Sequence, residues 1–204
     1  MKMRHIREKS ITWYTRKYWK PALAVGMSVA VLGSVIAFGG AKDEPQVNIQ
    51  EPVKTLPVSE LQAFTPLEDV PLDAELQEFI FGVAEDYGLD GELVMAMIGQ
   101  ESNYKHCEIG DNGESFGLMQ IQPRWHQARM DSLFCPNLLN PYQNVTVGID
   151  YLAELFDTGN SLEWVLMAYN SGPSNAYKNV ASGRVSQYAK TVLLYYKNFN
   201  TLKY

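Results

Sequence analysis

The chain has 204 residues, is 46% hydrophobic, and carries 17 basic against 23 acidic residues for a net charge of −6. That is length and apolar content for one packed domain of ordinary size with something added. Seven of the basic residues (Lys2, Arg4, Arg7, Lys9, Arg16, Lys17, Lys20) lie in the first 20 positions beside only Glu8, leaving 10 basic against 22 acidic residues beyond them, a balance that excludes nucleic acid as the ligand of the main domain because phosphates demand a basic face.

Residues 21–40, PALAVGMSVAVLGSVIAFGG, contain no charge and, at the helical rise, match the roughly 30 Å hydrocarbon thickness of a bilayer. The basic residues 1–20 before this run, with Trp13, Tyr14, Tyr18 and Trp19 as an interfacial belt, orient it with a cytoplasmic N-terminus and an exported remainder. The run is long for a signal peptide, which favours an uncleaved membrane anchor; Gly39 and Ala41 nevertheless supply the small residues of a cleavage site, and cleavage would make the rest secreted. Residues 41–73 hold five of the ten prolines among acids and scattered valines and read as a stiff, extended linker.

Residues 74–204 change to helical periodicity. Leu76, Phe79, Ile80, Val83, Ala84 and Tyr87 form one apolar stripe that stops at Gly88. Asp90 caps a second helix running through Leu93, Val94, Met97 and Ile98 to Glu101. Asn140-Pro141-Tyr142-Gln143 offers a cap, a first-turn proline and a capping-box glutamine for a third helix through Val145, Ile149, Leu152 and Phe156. Ser161 caps a fourth, LEWVLMAYN, and Val185 to Phe199 form a fifth with Tyr188, Val192, Tyr195 and Phe199 on one side. No stretch alternates like a strand for long, so the domain is expected to be mainly α.

Cys107 and Cys135, 28 positions apart, flank the polar loop after the second helix. In an oxidising compartment they read as one disulfide, worth about 3 to 4 kcal/mol by loop closure, with two free thiols as the alternative.

Glu101 is a lone carboxylate at the end of an apolar helix. Burial and the negative end of the helix dipole both disfavour its charge and raise its pKa. A carboxyl group kept protonated near neutral pH suits general-acid chemistry, and proton donation to a glycosidic oxygen is a standard use.

Four blocks stand in order: Glu101-Ser102; Ser115-Phe116-Gly117-Leu118-Met119-Gln120-Ile121; Asn140-Pro141-Tyr142-Gln143-Asn144-Val145 leading to Gly148-Ile149-Asp150-Tyr151-Leu152; and Ala168-Tyr169-Asn170-Ser171-Gly172-Pro173. Over roughly residues 76–196 they resemble the lytic transglycosylases, whose domain is goose-type-lysozyme-like. The resemblance implies a lysozyme-like helical fold and cleavage of the β-1,4 bond between N-acetylmuramic acid and N-acetylglucosamine in peptidoglycan glycan strands. In that family the muramic acid's C6 hydroxyl closes on C1, giving a 1,6-anhydromuramoyl end, so one carboxylate suffices. By this resemblance Glu101 is the acid and then the base, Tyr169 hydrogen-bonds and orients it, and Gln120, Asn170, Met119 and Ser115 meet the glycan. Ser102 joins that set and also ties the helix end. Neither a cofactor nor a metal is expected.

The loop between Glu101 and Gly117 is longer than usual for the family, and it carries Asp111 and Glu114. If either holds a water opposite Glu101, the enzyme acts as a lysozyme-like muramidase. Two further alternatives are a peptidoglycan-binding assembly module without chemistry, and a thiol peptidase using Cys107 or Cys135 with His106 or His126. An anchored transglycosylase suits local wall cutting, in remodelling or for a secretion or conjugation apparatus.

Overall fold

A computed structural model describes residues 64–201; the basic segment 1–20, the apolar run 21–40 and most of the linker lie outside the described residues. Among the described residues no helix is long and apolar enough to cross a membrane.

Side-chain caps start the helices where the sequence marks them. The Asp73 carboxylate accepts from the Leu76 amide to begin α1 (Ala74–Asp86), and the Asp90 carboxylate accepts from the Glu92 amide to begin α2 (Gly91–Ser102). Between them Gly88 takes φ +70°, the left-handed turn that ends α1. Asn140 and Ser161 cap α4 (Pro141–Phe156) and α5 (Leu162–Ser171) in the same way, and α7 (Gln187–Thr201) closes the described chain.

Sequence patterning marks five helices, and the structure has seven among the described residues. The additional two are α3 (Pro123–Ser132) and α6 (Pro173–Ala181), each begun by a proline and each burying a single residue, Met130 and Ala176 respectively. α3 has almost no apolar stripe and so lacks the periodic signal by which a helix is read, whereas α6 does carry Ala176, Tyr177 and Val180 at helical spacing but is only nine residues long and leaves Tyr177 and Val180 exposed. A small antiparallel hairpin, β1 (Ile109–Gly110) with β2 (Ser115–Phe116), is equally invisible because each strand is only two residues long.

α2 is the centre of the domain. Leu93 through Ile98 are all buried, so it is apolar all round and is enclosed by its neighbours, packing most extensively on α7 and also on α1. Residues 64–72, the end of the segment read as linker, are attached to this body. The buried Gln77 side chain accepts from the Leu67 amide at 2.8 Å and donates to the Leu72 carbonyl at 2.9 Å, while Val70 enters the core.

The loop Phe116–Ile121 is clamped onto α4 by Asn144, which is completely buried. Its Oδ1 accepts from the Met119 amide at 2.8 Å, and its Nδ2 donates to the carbonyls of Phe116 at 2.7 Å and Leu138 at 3.0 Å. Three backbone polar groups are thereby satisfied away from water. Gly117 sits at φ +74°, and a Cβ there would come within 2.4 Å of Asn144 Nδ2 and 2.5 Å of the Leu138 carbonyl, so no larger residue fits without breaking the clamp.

The disulfide is not formed: both thiols are free. Cys135 is sealed in the core with its Sγ donating to the Leu133 carbonyl at 3.3 Å, whereas Cys107 is exposed on the loop after α2. Burial pushes the Cys135 thiol up to about 12, suppressing the thiolate that disulfide exchange and nucleophilic attack both require.

Candidate active site

Glu101 lies in the last turn of α2, which ends at Asn103 in the left-handed region (φ 49°). Its carboxyl group opens on a cleft of about 750 Å³ bounded by the hairpin, α3, α4 and the α5–α6 junction. The backbone places it there because the rest of α2 is consumed by the core: only the final turn emerges.

Tyr188 donates from its hydroxyl to Glu101 Oε1 at 2.6 Å. This corrects the expectation for Tyr169, whose hydroxyl instead donates to the Met119 carbonyl at 3.0 Å. The reason is packing: α7 lies against α2 and presents Tyr188 directly to the carboxyl, while Tyr169 reaches the clamped loop. Tyr169 still lines the cleft beside Glu101, and burial together with that neighbouring charge holds its phenol well above its ordinary pKa. In the sequence Tyr188 reads only as one member of an apolar stripe, and nothing in its spacing marks it as polar and functional.

Burial pushes the Glu101 pKa from 4.5 up to about 7; the Tyr188 hydrogen bond works against the rise and the Asp111 charge adds to it. A carboxyl titrating near neutral pH can donate a proton and take one back within the same reaction. Tyr188 from α7, Asp111 from the hairpin loop and Tyr169 from α5 are titratable groups that interact with it. The two modulators should therefore move the basic limb of the pH–kcat/KM profile in opposite directions. Asp111→Asn removes a negative charge, lowers the Glu101 pKa and shifts that limb to lower pH; Tyr188→Phe removes a donor to the carboxylate and shifts it to higher pH. Limbs that move together, or not at all, would mean that Glu101 does not set the profile.

The remaining expected residues separate into two groups. Gln120, Asn170 and Ser115 line the cleft. Gln120 is tied down by its Nε2 donating to the Gly117 carbonyl at 2.9 Å, and a Cβ on Gly110 would meet its Oε1 at 2.3 Å, so the loop is shaped around this side chain. Met119 and Ser102 do not meet the cleft. Met119 is completely buried with its thioether against Gly148, where an added Cβ would come within 2.4 Å of the sulfur, because the Asn144 clamp turns its side chain into the core. Ser102 is also buried, its hydroxyl donating to the Ile98 carbonyl at 3.2 Å, and it serves the helix end only.

The two loop acids are both engaged. Asp111 lines the cleft, and its Oδ2 accepts from Ser115 Oγ at 2.5 Å and Gln122 Nε2 at 2.9 Å. Glu114 pairs with Arg124 at 2.9 Å.

A further wall is built by α3, whose Trp125 and Arg129 no periodic signal marks, against Tyr151 and Asp150 of α4. His126 packs at a tilt against Tyr151 (centroids 4.6 Å apart), and Tyr151 packs at a tilt in turn against Tyr169 (5.3 Å). Arg129 lies over Tyr151, donates from Nε to Asp150 Oδ2 at 2.7 Å and pairs with Glu154. Burial and then the Arg129 charge lower His126 to about 4, leaving it neutral at neutral pH. With its Nδ1 facing Arg129 at 3.1 Å and Cys135 bonded to Leu133, no thiol–imidazole pair is assembled from these two residues. Among the described residues no cluster of three or more His, Cys, Asp or Glu side chains could hold a metal ion.

The mainly helical body, with the desolvated Glu101 carboxyl group at the end of its central helix facing an open cleft, has a lysozyme-like architecture. Residues 78–191 match the Transglycosylase SLT domain, and the chain belongs to that family. Among solved structures it is similar to an inactive mutant of the lytic transglycosylase Slt from Pseudomonas aeruginosa, with 22% identity over 62% of this chain and 24% of that one and a TM-score of 0.53. It is similar as well to the 70 kDa soluble lytic transglycosylase from Escherichia coli, with 23% identity over 64% of this chain and 25% of that one and a TM-score of 0.52. The chain spans about a quarter of the length of these two structures, and at this identity the likeness shows the fold.

Proposed function

We propose that this chain is a peptidoglycan lytic transglycosylase in which Glu101 is the single acid and base. The observation that carries the reading is a carboxyl group with a pKa near 7, hydrogen-bonded by Tyr188, at the edge of a cleft large enough for a sugar strand. Protonated Glu101 gives its proton to the oxygen of the β-1,4 bond between N-acetylmuramic acid and N-acetylglucosamine as the C1–O bond breaks. The muramic acid's C6 hydroxyl then bonds to C1 and surrenders its proton to the Glu101 carboxylate, restoring the acid. One bond breaks and one forms within the substrate, and no water is consumed. Membership of the Transglycosylase SLT domain family supports this chemistry, and the Pseudomonas aeruginosa relative is inactive as a glutamate-to-glutamine mutant.

Hydrolysis by water is the second reading, favoured by the presence of Asp111 in the same cleft. Against it, Asp111 Oδ2 already accepts two hydrogen bonds and Glu114 is held by Arg124. Mass spectrometry of fragments released from purified sacculi separates the two: an anhydro end is lighter than a hydrolysed reducing end by one water. Anhydro ends are expected, and predominantly reducing ends would make the protein a muramidase. In this reading residues 21–40 anchor the chain with its cleft on the exported side, and the linker holds it off the bilayer within reach of the wall.

A further inference from the structure

Trp125 is the most exposed of the large apolar side chains among the described residues, at 72%, yet it lines the same cleft as Glu101. Tryptophan is ordinarily well covered, and one left open within a polar cleft invites a flat apolar partner. The ring is also held in place. The Arg124 guanidinium sits over it at 5.2 Å from the centroid, and that guanidinium is fixed in turn by Glu114 at 2.9 Å and by Gln122 Oε1 at 3.2 Å. Gln122 Nε2 continues the chain of hydrogen bonds to Ser115 Oγ at 3.0 Å and to Asp111 Oδ2 at 2.9 Å. A connected network therefore runs from the loop whose charge reaches Glu101 to the indole on α3, and it gives Asp111 and Glu114 a task that does not involve a water molecule.

We infer that Trp125 is a sugar-stacking platform that binds a pyranose of the glycan strand outside the scissile bond, with Arg124, Glu114 and Gln122 as positioning residues. The inference rests on the reading of the cleft as a glycan site. A pyranose presents a face of C–H groups to the electron-rich indole face, and its hydroxyl and acetamido groups point outward at the ring edge, where Gln122 and Asp111 line the cleft. With the guanidinium on one face of the indole, the opposite face is the one that takes the sugar. The platform extends binding along the strand and contributes to ground state and transition state alike, so its loss appears in KM rather than in kcat.

The test uses the full chain with soluble, uncrosslinked glycan strands. Trp125→Ala is expected to raise KM about fivefold to tenfold with kcat within about twofold of native, and Trp125→Phe to recover most of the loss. Calorimetric titration of N-acetylglucosamine tetramer into the Glu101→Gln protein should show the same weakening when Trp125→Ala is added. Because the indole is exposed, a thermal midpoint near native is expected, and a merely structural role would move that midpoint instead of KM. A native KM in Trp125→Ala, or Trp125→Phe no better than Trp125→Ala, overturns the platform while leaving Glu101 untouched. A Glu101→Gln protein that cleaves strands at the native rate overturns the underlying glycan-cleaving reading instead.

Discussion

On the proposed reading, replacing Glu101 by Gln is expected to lower kcat for glycan-strand cleavage by about a thousandfold with little change in KM, the range for removal of a positioned general acid. Glutamine has nearly the same volume, and its carbonyl oxygen can still accept from the Tyr188 hydroxyl that now bonds Oε1 at 2.6 Å. The fold and the cleft therefore survive, and only the transferable proton is lost. The effect is large because the described site supplies no substitute. Asp111 is held by Ser115 and Gln122, and Glu154 is paired with Arg129 on the far wall. Released fragments quantified by chromatography give the rate. Activity within tenfold of native would remove Glu101 from the chemistry and leave a binding module as the better reading.

The same substitution has a stability consequence of opposite sign. The Glu101 carboxyl titrates at 4.5 when exposed and at about 7 in the fold, so the folded chain holds its proton more tightly than the unfolded chain does. Below the lower value both states are protonated and the group contributes nothing to the pH dependence. As pH rises from about 4.5 to 7 the unfolded chain ionises first and stability falls, and above 7 the loss is complete. At 1.36 kcal/mol per pKa unit, Glu101 destabilises the native fold by roughly 3 kcal/mol at pH 8. Glu101→Gln should thus be more stable than native by about that amount at pH 8 and equal to it near pH 4, measured by urea unfolding of the full chain at both values. Equal stabilities at pH 8 would show that the carboxyl is not desolvated, and with that the basis for its acid role would go. A site that weakens its own fold in order to keep a proton is the usual relation between activity and stability.

Much of this arrangement is visible before folding. The caps Asp73, Asp90, Asn140 and Ser161 and the apolar stripes behind them are local signals, and the helices they start run as the pattern indicates. Glu101 is conspicuous because a carboxylate at the end of an otherwise apolar helix contradicts its surroundings. The Gly117 and Asn144 positions lie within ordered blocks whose residue types fit one clamp, although only the structure reveals that the clamp turns Met119 inward.

What the residues determine by themselves is whatever depends on spacing along one element: a mainly helical domain, its central apolar helix, and the solitary acid at that helix's end. Tertiary structure decided the acid's partner, Tyr188 rather than Tyr169, because Glu101 and Tyr188 stand 87 positions apart and meet only when α7 packs on α2. It also decided the wall of Trp125, His126 and Arg129, since α3 has one buried residue and is held by contacts across the cleft rather than by its own periodicity. The thiols follow the same rule: their separation in sequence permits a bridge, but the fold seals one in the core and leaves the other at the surface.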